Sequence, residues 1–262
     1  MIGGMAFYLS RGDNRYEPTR ATESPWDTRF QHGGPPAALL AHVIDAQLEN
    51  VGLRLARISV DFLGPIPRQE ARIEVSPVKP GRLTYLSEAQ MVVDGRVAVT
   101  ARAWHIATGP KPRVVTEPRL PPPLPADEVE QRFFSGLENW GYGEAIEWRY
   151  TLGGMDRPGR ADVWTRVRMP LVDGEALTGQ ARALIIADSA NGLSAVLPLA
   201  EWLSIPPTMT TTLLRPPAGE WVHLSCSTQL SDDGLGLSRG DLYDPDGYLG
   251  EVAQPLLVRS RD

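Results

Sequence analysis

The chain has 262 residues, a formal net charge of −6, 42% hydrophobic residues, four histidines and one cysteine. That is enough chain to bury one large core or two small ones. An acidic balance without a basic run excludes the electrostatic attraction that DNA or RNA binding requires. A lone Cys226 excludes an internal disulfide, and four scattered histidines without a neighbouring Cys or carboxylate at ligand spacing support no metal site. No cofactor-binding pattern is present.

The opening MIGGMAFYLSRGDNR lacks the basic start and apolar run of a signal peptide, and no later stretch spans a bilayer. A cytoplasmic protein with no membrane partner is expected. The first strong element follows QHGGPP at 31–36, where Leu39, Leu40, Val43, Ile44 and Leu48 recur at helical spacing. This predicts a helix over about 35–50. Pro35 and Pro36 suit its first turn, where the N–H groups have no helical partner. Gly33 and Gly34 either make a tight turn or let another group approach a helix end that favours negative charge.

Strand patterns follow as ARISVDFL, ARIEVSPV, LTYLSEAQMVV and RVAVTARAWHI, with turns at Gly64-Pro65, Pro80-Gly81 and Asp94-Gly95. The proline-rich GPKPRVVTEPRLPPPLPADE at 109–128 can be neither helix nor central strand. It reads as a linker. The pattern then repeats: IEWRYTL and ADVWTRVRM, a second helix over about 180–197, then TMTTTLL, WVHLSCSTQL, LGLSRGDLY and YLGEVAQPLLV.

The repeat also holds in register. Leu63-Gly64-Pro65 matches Leu214-Arg215-Pro216 at a shift of 214 − 63 = 151, and Asp94-Gly95 matches Asp246-Gly247 at 246 − 94 = 152. One helix followed by four strands, twice, predicts a duplicated α+β unit: a first unit over 1–108, a linker over 109–130 and a second unit over 131–262. The two sheets are expected to join side by side, and sheet or helix packing between copies predicts a homo-oligomer.

Asp188, in ALIIADSANGLSAVL, falls within the apolar pattern of the second helix, with Leu184, Ile185, Asn191 and Gly192 one turn away. A mid-helix aspartate has poor propensity, and an unpaired buried carboxylate is costly. Either the helix starts at Asp188, with the acid as its cap, or the acid works as a base. Gln254 in GEVAQPLLVR shares a strand face with Val252, Leu256 and Val258 and needs a partner there. Ser238, in GLSRG, fits G-x-S-x-G but precedes a strand end and turn instead of a helix, so a nucleophile elbow is not expected. Cys226 alternates with Val222 and Leu224 and reads as core.

FQHGGPPAALLA in the first half, and IEWRY, ADVWTRVRM, LIIADSANGLSAVLP, LLRPPAGEW, RGDLYDPDGYL and VAQPLLVR in the second, carry a resemblance to the acyl-CoA thioesterases of TesB type, running from about Arg29 to Arg259. The resemblance implies a double hotdog, in which each half wraps an antiparallel sheet around a helix. It also implies hydrolysis of acyl-CoA to a free acid and CoA. Asp188 and Gln254 stand where the family has its acid and glutamine, which hold or deprotonate the attacking water. The family's third residue, a threonine, is replaced by Pro206. Thr208 and Thr210, on one face of the next strand, are the substitute candidates, although threonine is also an ordinary strand former. Superposed on these motifs, Gly34 lies opposite Asp188 and Arg102 opposite Gln254, so a single site is expected. Gly33 and Gly34 would supply oxyanion donors, and His32 would cap the helix, stand plainly exposed or touch substrate. A hydratase or dehydratase of acyl thioesters, which should carry a histidine beside the acid, and a non-catalytic acyl-CoA or lipid binder are the alternatives.

Overall fold

The computed structural model describes residues 6–48, 52–117, 119–126, 139–154 and 156–261. The expected unit boundary between 130 and 131 lies outside them.

The first half opens with a small antiparallel pair, β1 (Tyr8–Ser10) and β2 (Arg15–Pro18), and a single 3₁₀ turn (Arg20–Thr22). Helix α1 (Gly34–Ala46) follows, then β3 (Leu53–Phe62), β4 (Ala71–Lys79), β5 (Thr84–Val93) and β6 (Arg96–Ala107). Helix α1 starts with both prolines inside its first turn, as their fixed φ favours. It is buried nearly all round, from Gly34 to Ile44, because it lies between a sheet and another helix. Leu39, Leu40 and Ile44 are fully enclosed, each worth about 1.5–3 kcal/mol of apolar burial.

The second half consists of α2 (Gly141–Glu144), β7 (Ile146–Gly154), β8 (Arg157–Val167), α3 (Gly179–Ala187), α4 (Ala190–Leu193), β9 (Trp202–Ile205), β10 (Thr208–Leu213), β11 (Trp221–Leu230), β12 (Leu235–Asp244) and β13 (Gly247–Ser260). The helix expected over 180–197 is therefore two helices. Thr178 caps the first, its hydroxyl accepting from the Ala181 N–H. The break falls at Asp188, which is the C-terminal cap of α3, neither mid-helix nor an N-terminal cap.

The strands form one sheet in the order β1-β2-β4-β5-β6-β3-β10-β13-β12-β11-β8-β7, with β9 added to β13. Reading outward from the central β3–β10 pair, each half runs through its own strands in the same sequence: β6, β5, β4 on one side and β13, β12, β11 on the other. The matched turns occupy matched places. Asp94 and Gly95 make the tight β5–β6 hairpin with φ of 48° and 74°, and Asp246-Gly247 lies at the β12–β13 hairpin. The β3–β10 junction is antiparallel, Ser59 opposite Thr210, so the two sheets are continuous.

Helices α1 and α3 pack against one another and run antiparallel, with Gly34 against Ile185 at one end and Asp45 bonded to Gln180 at the other. The proline-rich segment lies against the second half. There the carbonyl of Pro122 accepts from the Trp164 indole N–H, and Arg119 pairs with Asp241. Among the described residues no helix is long and apolar enough to cross a membrane.

Candidate active site

The antiparallel helix pair puts the start of α1 beside the end of α3, and this brings residues of the two halves together. Asp188 is 9% exposed. Its Oδ1 accepts from Gln254 Nε2 at 2.9 Å, and its Oδ2 lies 3.0 Å from Nδ1 of His32. Gln254 reaches the acid from β13, as strand alternation required, and its Oε1 accepts from the backbone N–H of Asn191 at 3.2 Å. Both ends of the amide are therefore committed, which fixes its orientation. Asn191, which sequence reasoning noted only as a neighbour, is tied to β9: it donates to the Ser204 carbonyl and accepts from the Ser204 hydroxyl, both at 2.8 Å. These bonds brace the short α4, whose Asn191 holds the acid's partner Gln254 in place.

His32 comes from the segment before α1. Its ring stacks on Tyr142 of α2, centroids 3.9 Å apart and planes 11° from parallel, while the Tyr142 hydroxyl donates to the Ile185 carbonyl and shares a 2.8 Å bond with Ser189. Tyr142 thus holds the imidazole from one side and the end of α3 from the other. Burial lowers the His32 pKa, while the Asp188 charge pulls it upward; the net direction is down, toward the neutral ring. Two contacts compete for Nδ1, since the Gly34 N–H also points at it from 3.3 Å. The Asp188 contact is shorter and charge-assisted, which places the proton on Nδ1, shared with Oδ2. Nε2 then keeps its lone pair, and among the described residues it has no partner.

Asp188, His32, Gly33 and Asn191 line a cavity of about 540 Å³ whose other walls are chiefly aromatic and aliphatic, among them Phe62, Trp140, Trp148 and Leu203. Such walls exclude water and favour an apolar ligand. Gly33 is a glycine for a local reason: a Cβ there would sit 2.6 Å from the Phe62 ring and 2.9 Å from Asp188 Oδ2.

Other candidates are placed elsewhere. A Cβ on Gly34 would collide with the Ile185 carbonyl, so this glycine serves helix packing, and its N–H is aimed at His32. It is Gly33 that faces Asp188. Thr208 donates its hydroxyl to the Val60 carbonyl at 2.9 Å and Thr210 pairs with Ser59 at 3.0 Å; neither borders the cavity, whose wall at this point is Pro206 and Pro207. Both hydroxyls face the strand junction, because β10 must pair with β3. Ser238 is buried on β12 opposite Gln254, and Cys226 is buried in the core. Among the described residues no group of three or more His, Cys, Asp or Glu could hold a metal ion.

Comparison with known proteins agrees with this architecture. The family model described as acyl-CoA thioesterase N-terminal domain matches residues 22–106, and the one described as acyl-CoA thioesterase C-terminal domain matches residues 118–258. Among curated proteins no relative matches the chain. Solved structures share the fold at low identity. A conserved protein of unknown function with hot dog fold from Alicyclobacillus acidocaldarius has a TM-score of 0.74 at 18% identity over 97% of this chain and 95% of its own. The acyl-CoA thioesterase II TesB2 of Mycobacterium marinum has a TM-score of 0.69 at 17% identity over 97% and 95%. A tesB protein of Mycobacterium avium subs paratuberculosis has 0.69 at 16% over 96% of each chain. With its two matched halves and a double hotdog built around one helix pair, the chain belongs to the TesB-type acyl-CoA thioesterase family.

Proposed function

We propose that the protein hydrolyses an acyl-CoA thioester at the Asp188, His32 and Gln254 cluster. The observation that carries this reading is the 3.0 Å pairing of a buried carboxylate with an imidazole on the wall of an apolar cavity. Asp188, held on Oδ1 by Gln254, fixes the Nδ1–H tautomer of His32 through Oδ2. Nε2 then accepts a proton from water as the water oxygen attacks the thioester carbonyl carbon. The carbonyl oxygen becomes negative, and the backbone N–H of Gly33, at the start of α1, is the proposed donor to it. Collapse of the intermediate breaks the C–S bond, and the proton on Nε2 passes to the departing sulfur. The products are a carboxylic acid and free CoA. This reading makes Asp188 the orienting half of the base, with the imidazole as the half that meets water.

The test is release of free thiol from a panel of acyl-CoAs of graded chain length. Turnover that disappears in Asp188→Asn supports the reading; no thiol release above that variant's background on any member of the panel refutes it.

One observation favours a second reading. A histidine beside the acid is the feature expected of a hydratase or dehydratase, and the fold supplies it from the other half of the chain. The same Nε2 could take a proton from a carbon next to a thioester carbonyl. Loss of the conjugated double bond of a 2-enoyl-CoA without release of thiol would favour this reading.

A further inference from the structure

The cavity lining is buried in part and exposed in part. Trp148 and Trp140 on its wall are 1% and 6% exposed, whereas Trp26 and Ile205 are 39% and 41% exposed. Trp26, Ile205 and Arg261 are exposed parts of the lining, whereas Trp140, Trp148 and Asp188 are buried parts of it.

The charges on that wall are Asp188, Asp27 and Arg261. Asp27 is answered by Arg29 at 2.7 Å, a bidentate pair that holds its carboxyl below the usual range. Arg261 has no carboxylate at ion-pairing distance among the described residues. Its Nε donates to the Leu199 carbonyl at 3.2 Å, which anchors the side chain, and its guanidinium lies 5.5 Å over the Trp26 ring. The two terminal amino groups have no partner among the described residues. An anchored, planar, uncompensated cation beside a half-exposed indole is a pairing suited to an anion joined to an aromatic ring.

We propose that Arg261 and Trp26 form the recognition site for the phosphorylated nucleotide end of coenzyme A, with the acyl chain directed toward Trp148. This rests on the thioester reading of the site and adds a direction to it. Arg261 would hold phosphate oxygens through its terminal amino groups, and the indole would offer a face to the adenine ring. The orientation also follows from solvation. Phosphates keep their water beside the exposed Trp26 and Arg261, whereas a hydrocarbon chain gains from the buried aromatic wall of Trp140 and Trp148.

The test compares one acyl group on two carriers: acyl-CoA, and acyl-pantetheine, which lacks the phosphates and the nucleotide. In the wild type the ratio of kcat/KM for the two should favour CoA. In Arg261→Ala that ratio should fall about tenfold, chiefly through KM for the CoA ester, in line with loss of a charge-assisted contact. Trp26→Ala should lower it in the same direction. Arg261→Lys should recover part of the loss, because it keeps the charge and gives up the planar fork. A ratio unchanged in Arg261→Ala overturns the proposal even if hydrolysis is robust. Should the wild type hydrolyse neither ester, the thioesterase reading fails by itself. The nucleotide site is then judged by calorimetric titration of CoA: tighter binding to wild type than to Arg261→Ala sustains it, and equal binding overturns it.

Discussion

The two ends of the α1–α3 pair carry the same three residue types. At one end are Asp188, His32 and Gln254. At the other, His105 Nε2 lies 2.7 Å from Asp45 Oδ1, and Gln180 Nε2 donates to Asp45 Oδ2 at 2.7 Å. The parallel extends to topology: Asp188 caps the end of α3 and Asp45 lies in the last turn of α1, one partner comes from the last strand of the same half, and the other comes from the start of the opposite half's helix. The bonds at the Asp45 end are even the shorter set. Asp45 has a side chain 40% exposed and is not part of the cavity wall, whereas the Asp188 side chain is 8% exposed and opens on about 540 Å³ of apolar space. Residue types and hydrogen bonds alone therefore do not define a site. The duplicated fold offers two such arrangements, and the enclosed cavity distinguishes one of them.

The sharpest way to break this comparison is to mutate both acids. Asp188→Asn should lower kcat/KM for an acyl-CoA by on the order of a hundredfold or more, as removal of a group that orients a general base does. Asp45→Asn should leave thiol release within about twofold. Equal losses from the two variants would mean that both ends contribute to turnover, or that each change acts only through folding. Circular dichroism and a melting curve of each variant separate those cases.

His32 gives the next largest effect and a pH signature. His32→Gln should cost on the order of tenfold to a hundredfold, keeping a polar side chain on the wall without a titrating base. Burial lowers the His32 pKa from its ordinary value of about 6.5, while Asp188 pulls it upward. The base is active when neutral, so wild-type kcat/KM should hold through pH 7 and fall as the pH drops through that lowered value. The unfolded chain takes up the proton more readily than the folded one, so stability should also decline below about pH 6.5. Removing the Asp188 charge should move the acid limb of the residual activity to still lower pH. An acid limb unchanged in His32→Gln would assign it to another group.

Much of this was legible in the sequence, and the failures have physical causes. The repeat could be read because hairpin turns and strand alternation are local signals, and Asp94-Gly95 and Asp246-Gly247 kept the register across a shift of 152. Asp188 and Gln254 stood out because each was a polar residue in an apolar pattern that demanded a partner. The contact of Asp188 with His32 was not legible, because it depends on α1 and α3 running antiparallel. No histidine lies near Asp188 in sequence, so no local pattern announces a dyad that the fold assembles from the two halves. The break at Asp188 was missed because ALIIADSANGLSAVL keeps its apolar spacing through the cap. Tyr142, whose stacking holds His32, lies on a helix of four residues with no periodic signal. The strands β1, β2 and β9 are three or four residues long and give too little alternation to read.

Glycines 33 and 34, adjacent in sequence, separate site from scaffold. Gly34→Ala sets a methyl against the Ile185 carbonyl, a backbone atom that cannot move without shifting α3. A stability loss of about 1–3 kcal/mol is expected, the usual cost of overpacking a core. Gly33→Ala meets the edge of the Phe62 ring, a side chain able to give way, and Asp188 Oδ2. It should lower kcat more than it lowers the melting temperature. If the two variants behave alike in both measurements, the division drawn between these neighbours fails. For the same reason Gly34→Val reports on helix packing before it reports on any oxyanion.

The smallest effect concerns the strand junction, which joins the halves that the site straddles. Thr210 and Ser59 share a 3.0 Å hydroxyl contact across β3 and β10, with each side chain partly exposed on the sheet face. Thr210→Val keeps the volume and the β-branching and removes one hydroxyl. Ser59 can then turn to water, so no buried group is orphaned, and the cost should be that of one ordinary hydrogen bond, about 0.5–1.5 kcal/mol. Denaturant unfolding of the variant measures it. Turnover should stay within about twofold, because the hydroxyl lies on the junction and the cavity wall here is built from Pro206 and Pro207. A tenfold fall in kcat with the fold intact would show that β10 shifts during catalysis and brings a threonine hydroxyl to the water. The proline pair would then be a displaced part of the machinery, and the Asp188 end would need a fourth group.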